Sequence, residues 1–159
     1  MAMSETAAVE KVLSRLRNQC SRREYCVSDV REKAMKALDG DEFAAETVVE
    51  SLKRDKYVDD SRYCTAYARE KASISGWGVV KIRYMLSHKG LSREDIDAGI
   101  AGIDENGASA RLEKLLAAKS RTLKDDPQRK LKLLRFALGR GYQYDEVSAA
   151  LSHIENVEI

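Results

Sequence analysis

Proline is nearly missing from this chain, with one residue in 159, and aromatic residues make up only 6%. Together with few β-branched residues, this leaves too little strand-forming material for a large sheet. No run approaches the roughly 18 apolar residues that a membrane span needs. The opening "MAMSETAAVEKVLSRLRN" is acidic before it is basic and lacks the apolar core of a signal peptide. These absences predict a cytoplasmic protein with no membrane contact. Cysteine is scarce as well. Cys20, Cys26 and Cys64 are odd in number, not at CxxC spacing, and have no histidine close by. A zinc site or disulfide framework is not expected, and three reduced thiols, some buried, are.

Reactive groups are equally thin. Of the two histidines, His88 lies on a basic helix face with Lys81 and Tyr84, and His153 falls in the last turn of the final helix, where it complements the helix dipole. Neither is tied to a nucleophile. "GWG" at 76–78 follows no strand and completes neither a P-loop nor GxGxxG, so it is no phosphate cradle. It reads instead as a turn before a helix, with Trp77 either packing in a core or anchoring an interface. No enzyme, cofactor or metal is expected.

What the chain has in quantity is charge: 34% of residues are Asp, Glu, Lys or Arg, 43% are hydrophobic, and the net charge is only +2. The charge is polarised. Residues 41–60 hold seven acids against three bases, and residues 111–140 hold ten bases against three acids. Such polarity suits a partner with its own charge pattern.

The second abundant feature is repetition. Gly40, Gly90 and Gly141 stand 50 and 51 residues apart, each closing a helix-patterned run, with Met35, Met85 or Phe136 five residues earlier. Glycine there fits the left-handed position that ends a helix. After each glycine comes an apolar stripe at i, i+3, i+4, i+7: Ala45-Val48-Val49-Leu52, Ile96-Gly99-Ile100-Ile103 and Val147-Ala150-Leu151-Ile154. Before each pair lies a further stripe: Val9-Val12-Leu13-Leu16, then Tyr63-Ala66-Tyr67 opened by Asp59 or Asp60, then Leu112-Leu115-Leu116. The expected fold is all-α: three tandem three-helix-bundle repeats over 1–56, 57–106 and 107–159, in an elongated, curved array. Units of this size are roughly 25 Å across, so a row of them reaches about 75 Å. A small core of this kind should lean on its neighbours.

Helix–glycine turn–helix also suggests a DNA-reading motif, in which the second helix enters the major groove. Here those helices begin with Glu94, Asp95 and Asp97, with Asp145 and Glu146, and with Asp41, Glu42 and Glu46. Their carboxylates oppose docking against phosphates. Positive charge lies on the preceding helices instead: Lys81, Arg83 and Lys89, then Arg129, Lys130, Lys132, Arg135 and Arg140. A nucleic-acid-binding helical protein and a scaffold for another partner both remain open on these residues.

Several longer stretches, in order, carry a family likeness. "SRREYCVSDVREKAMKAL" resembles the first-repeat opening of the RecX family of bacterial recombination regulators. "YVDDSRY" at 57–63 resembles its acidic-pair motif. Gly76-Trp77-Gly78, Ile82-Arg83, Leu86 and Lys89-Gly90 resemble its most diagnostic stretch, and "LLRFALGRGYQYDEV" its closing element. Ala34, where that family tends to carry leucine, and the Gly/Ala-rich segment 99–110 are local departures. The resemblance implies an array of three-helix repeats that binds along the groove of the RecA–single-stranded-DNA filament. It implies bridging of RecA protomers and inhibition of filament growth, ATP hydrolysis, strand exchange and coprotease activity, in DNA repair and the SOS response. On that reading the partner contacts are Trp77, Lys81, Arg83, Lys89, Arg135, Arg140 and Tyr142. A weak direct contact with DNA is left open, and a monomer is expected.

Overall fold

The computed structural model describes residues 5–157, with side chains to Glu155. Residues 1–4, part of the opening read above for a signal peptide, lie outside the described residues, as do 158–159 at the end of the third repeat. Nine helices and no strand occur among the described residues. They are α1 (Glu5–Cys20), α2 (Val27–Ala37), α3 (Glu42–Arg54), α4 (Asp60–Ser73), α5 (Val79–His88), α6 (Arg93–Ala101), α7 (Glu105–Thr122), α8 (Arg129–Gly139) and α9 (Tyr144–Val157).

Each trio closes on its own apolar stripes, which gives three separate cores. The first gathers Val12, Leu13 and Leu16 of α1, Val30 and Ala34 of α2, and Val48, Val49 and Leu52 of α3. The second holds Tyr63, Cys64 and Ala68 of α4, Ile82 and Leu86 of α5, and Ile96 of α6. The third holds Leu112 and Leu116 of α7, Leu133 and Ala137 of α8, and Val147 and Leu151 of α9. Across trios, α4 against α7 is the one helix pair in extended contact among the described residues. The trios therefore stand in a row.

The turns follow from local chemistry. Gly40, Gly90 and Gly141 have φ of +82°, +80° and +97°, the left-handed conformation expected after a helix. The next helix is then capped by a side chain. Asp41 accepts from the Ala44 amide at 3.1 Å and Ser92 from the Asp95 amide at 3.1 Å. Of the acidic pair, Asp59 is the cap of α4, accepting from the Arg62 amide at 3.1 Å.

Two stripes differ from expectation: the one after Gly90 runs past the end of α6 at Ala101, so Ile103 lies in the turn that follows, and that of α4 faces another way. Ala66 is exposed, and α4 buries Tyr63, Cys64, Ala68 and Ala72, with Tyr67 partly covered. The face is turned because α4 and α6 approach closely. A Cβ at Gly99 would lie 2.8 Å from the Cys64 carbonyl. Small residues at i, i+4, i+8 serve that approach better than an aromatic stripe, and apolar periodicity does not weigh smallness.

Candidate partner-binding site

The diagnostic stretches fold together. Gly76-Trp77-Gly78, before α5, lies against Arg140-Gly141-Tyr142, after α8. The Gly78 amide donates to the Arg140 carbonyl at 2.8 Å, and the Val80 amide to the Gly141 carbonyl at 3.0 Å. Arg140 Nη1 donates to the Ser75 carbonyl at 3.0 Å, and the Tyr142 hydroxyl to the Gly76 carbonyl at 3.0 Å. The two backbones touch, and this requires glycine on both sides. A Cβ at 78 would meet the Tyr142 amide nitrogen at 2.5 Å, and a Cβ at 141 would meet the Lys81 amide nitrogen at 2.6 Å. Gly78 is thus glycine for close approach, in extended backbone, and not for a turn. This clasp joins the second bundle to the third.

A different joint links the first bundle to the second, and beyond the connecting turn it is made by side chains. Asp60 accepts from the Val27 amide at 2.8 Å, which places its carboxylate at the start of α2. Ser28 Oγ donates to the Lys89 carbonyl at 2.7 Å, and Lys89 Nζ lies 3.1 Å from Asp29 Oδ1. Arg62 Nε sits 2.8 Å from Glu24 Oε1. Cys26, between α1 and α2, is fully buried in the second bundle's core. Burial pulls the Lys89 pKa down, but the Tyr63 hydroxyl and Asp29 outweigh it and hold the ammonium above the ordinary lysine value. Burial pushes Asp29 up, yet the Cys26 amide and Lys89 bring it below the usual carboxylate value.

The residues expected to meet a partner thus divide. Tyr142 is buried, at 5% exposure, and its hydroxyl is committed to the clasp. Arg140 is partly buried in the same clasp and lies over the Phe136 ring at 5.1 Å. Lys89 belongs to the other joint, with its ammonium 5.2 Å from the Tyr63 ring centre. Arg83 is exposed and pairs with Asp97 at 2.6 Å. Trp77 is half-buried, edge-on to Tyr67 at 6.4 Å, with Lys71 and Lys81 4.9 and 4.4 Å from its ring. Arg135 stands exposed on α8. Sequence reasoning did not foresee the joint made by Glu24, Ser28, Asp29, Asp60 and Arg62. Its signal was the second aspartate of "VDD", one more than a cap requires.

Among the described residues no three His, Cys, Asp or Glu side chains group to hold a metal. Burial pushes the Cys64 thiol up to about 12, so at neutral pH it is no nucleophile. His153 Nδ1 lies 3.0 Å from a Glu113 carboxylate oxygen of α7; α9 runs on to Val157, so His153 falls short of the last turn and does not cap the helix dipole as expected.

Comparison with known proteins follows the same units. The sequence model of the second three-helix domain of RecX matches residues 59–100, and that of the third matches 108–151, together more than half of the chain. The chain belongs to the RecX family. Regulatory protein RecX of Clostridium acetobutylicum is 35% identical over 115 residues, covering 69% of this chain and 53% of the relative. Regulatory protein RecX of Clostridium botulinum strain Alaska E43 is 30% identical over 122 residues, covering 74% and 57%. The chain spans a little more than half the length of these curated relatives. The crystal structure of RecX from Lactobacillus salivarius superposes with a TM-score of 0.83 at 18% identity, covering 93% of this chain and 97% of that one. A second RecX crystal structure gives 0.81 at 22% identity, covering 96% and 73%. At such identities the structures show a shared fold. Of the stretches named above for the family likeness, Gly76–Gly78 and Arg140–Tyr142 form one joint, and Asp60 and Lys89 belong to the other.

Proposed function

We propose that this chain is a negative regulator of RecA that lies along the helical groove of the RecA–single-stranded-DNA filament. It bridges neighbouring protomers and restrains filament growth, ATP hydrolysis, strand exchange and coprotease activity. RecX family membership supports the reading, and the observation that carries it is the row of three separately cored bundles. Contacts made in series along a row gain avidity that a single bundle of this size lacks. The units are 1–56, 57–106 and 107–159, each serving as one contact module. Trp77 with Lys81, Arg83 and Arg135 meet the partner, and Lys89, Arg140 and Tyr142 act by fixing how the modules face it. The setting is the cytoplasm, in recombination, DNA repair and the SOS response, and the free protein needs no cofactor.

Titration into RecA, single-stranded DNA and ATP tests this. Hydrolysis is expected to fall as the protein is added, and unchanged hydrolysis at saturation would refute the proposal. Arg135→Glu is expected to weaken filament binding about tenfold while leaving the melting temperature in place, since exposed charges contribute little to stability. The basic excess of residues 111–140 also favours a second reading, in which the chain binds nucleic acid without RecA. A mobility shift with a steep salt slope in the absence of RecA would support that reading instead.

A further inference from the structure

The chain crosses from the first bundle to the second through a single residue. Tyr57 and Val58 still belong to the first bundle: Val58 is buried in its core and Tyr57 packs against it. Helix α4 begins at Asp60. Only Asp59 lies between, in extended backbone with φ of −155° and ψ of 109°. Among the described residues, no helix of the first bundle is in extended contact with a helix of the second. Units joined by a small polar contact move relative to one another unless something holds them. The bonds from Asp60 and Lys89, and the buried seat of Cys26, all fall on Cys26, Val27, Ser28 and Asp29. Four consecutive residues pin one point of the first bundle and leave it free to turn about that point.

Arg62 holds it elsewhere. From the first turn of α4, all three nitrogens of its guanidinium reach back to the first bundle. Nε donates to both Glu24 carboxylate oxygens, at 2.8 and 3.0 Å. Nη1 donates to the Lys56 carbonyl at 3.1 Å and Nη2 to the Tyr57 carbonyl at 3.2 Å. The Arg62 amide donates to the Asp59 carboxylate. One residue thus spans the crossing and grips both the α1–α2 turn and the end of the first bundle. We propose that Asp59 is the hinge between the first two bundles and that Arg62 is the latch that sets its angle. The latch depends on the planar fork of the guanidinium, whose donors point in fixed directions to a carboxylate and two carbonyls. A lysine ammonium on a flexible stem does not reproduce that fork. With the latch closed, the first bundle presents its surfaces in one orientation relative to the clasped pair behind it. With the latch open, it swings. This holds whatever the row binds, and it is tested without RecA.

Residual dipolar couplings of the full chain, weakly aligned in a neutral medium, decide it. In the parent, the amides of all three bundles should fit one alignment tensor. In Arg62→Ala the second and third bundles should still share one tensor. The order of the first should fall at least about twofold below theirs, as for a unit swinging on a hinge. Arg62→Lys should behave like Arg62→Ala. Glu24→Gln removes the ion pair but leaves both carbonyl bonds in place, so it should stay near the parent. Arg62 is exposed and lies outside both cores, so the Val49, Leu52 and Ile82 amides should keep their protection from exchange in every variant. A single tensor for all three bundles in Arg62→Ala would overturn the proposal. So would a parent whose first bundle is already less ordered than the rest, or an Arg62→Lys chain that matches the parent. Loss of core protection in Arg62→Ala would overturn it as well, since Arg62 would then hold a fold and not an angle.

Discussion

Gly78→Ala is the sharpest perturbation of the clasp between the second and third bundles. The new Cβ would lie 2.5 Å from the Tyr142 amide nitrogen and closer still to the Gly141 carbonyl. Both are backbone atoms and cannot rotate aside, so the Arg140–Tyr142 segment must retreat by about 1 Å to reach ordinary contact. A shift of that size breaks the bonds from the Gly78 and Val80 amides to the Arg140 and Gly141 carbonyls. Each contributes about 1 kcal/mol net, and crowding of a packed contact costs about 1–3 kcal/mol. Stiffening the unfolded chain returns about 0.4–1 kcal/mol. The net loss is about 2–5 kcal/mol. Urea unfolding measures it, and amide exchange locates it. The Val80 amide should exchange about a hundredfold faster, with the Val49 and Leu52 amides of the first bundle unchanged. Gly90→Ala is the control. Gly90 has φ of +80° with nothing within 4 Å of a new Cβ, so only backbone strain of about 1–2 kcal/mol applies. If Gly78→Ala costs no more than Gly90→Ala, or if exchange in the first bundle rises equally, the clasp does not hold the bundles.

Asp29 has a lowered pKa, so the stability it contributes is present above the ordinary carboxylate value and lost as pH falls through the folded value. Lys89 has a raised pKa, so its share is present below the ordinary lysine value and lost only as pH rises beyond it. The first joint therefore loosens in acid, below about pH 4. Asp29→Asn should remove Asp29's share of that dependence and cost about 1 kcal/mol at neutral pH, read from unfolding curves across pH. Tyr142→Phe keeps the packing but leaves the Gly76 carbonyl without its buried donor, and should cost about 1–2 kcal/mol in urea unfolding. In a thiol-reagent time course, partly exposed Cys20 should react first. Cys26 and Cys64, both fully buried, should react only on unfolding, and early modification of either would contradict the packing.

The architecture was legible because three signals agreed: a glycine at 40, 90 and 141, an apolar stripe after each, and a further stripe before each pair. The stripe of α4 was not legible in the same way. Its buried face is built of Cys64, Ala68 and Ala72, residues whose hydrophobicity is low and whose value lies in being small. The contact residues were harder still. Arg140 and Tyr142 have the chemistry that anchors interfaces between proteins, and here they anchor one between bundles. Residue type does not distinguish the two. Only the position of Gly141 opposite Gly78 does, and that pairing spans more than sixty residues of sequence. Arg135 stands out by charge alone, and the structure leaves it exposed on α8.

The two joints also differ in what can loosen them. The second is made by backbone amides and carbonyls in contact, closed by Tyr142, with both glycines fixed by sterics. Salt and pH have little to act on there except Arg140. The first depends on Asp60, on the Asp29–Lys89 pair and on the Glu24–Arg62 pair. These half-exposed ionic contacts are screened by salt, the Asp29–Lys89 pair is weakened by acid, and Cys26 supplies the apolar anchor beneath them. A row built this way has a stiff pair of bundles and a first bundle tethered mainly by charge. If the row must fit a surface whose repeat varies, adjustment will come at the first joint, because its bonds can exchange partners one at a time while the glycine clasp opens only as a whole.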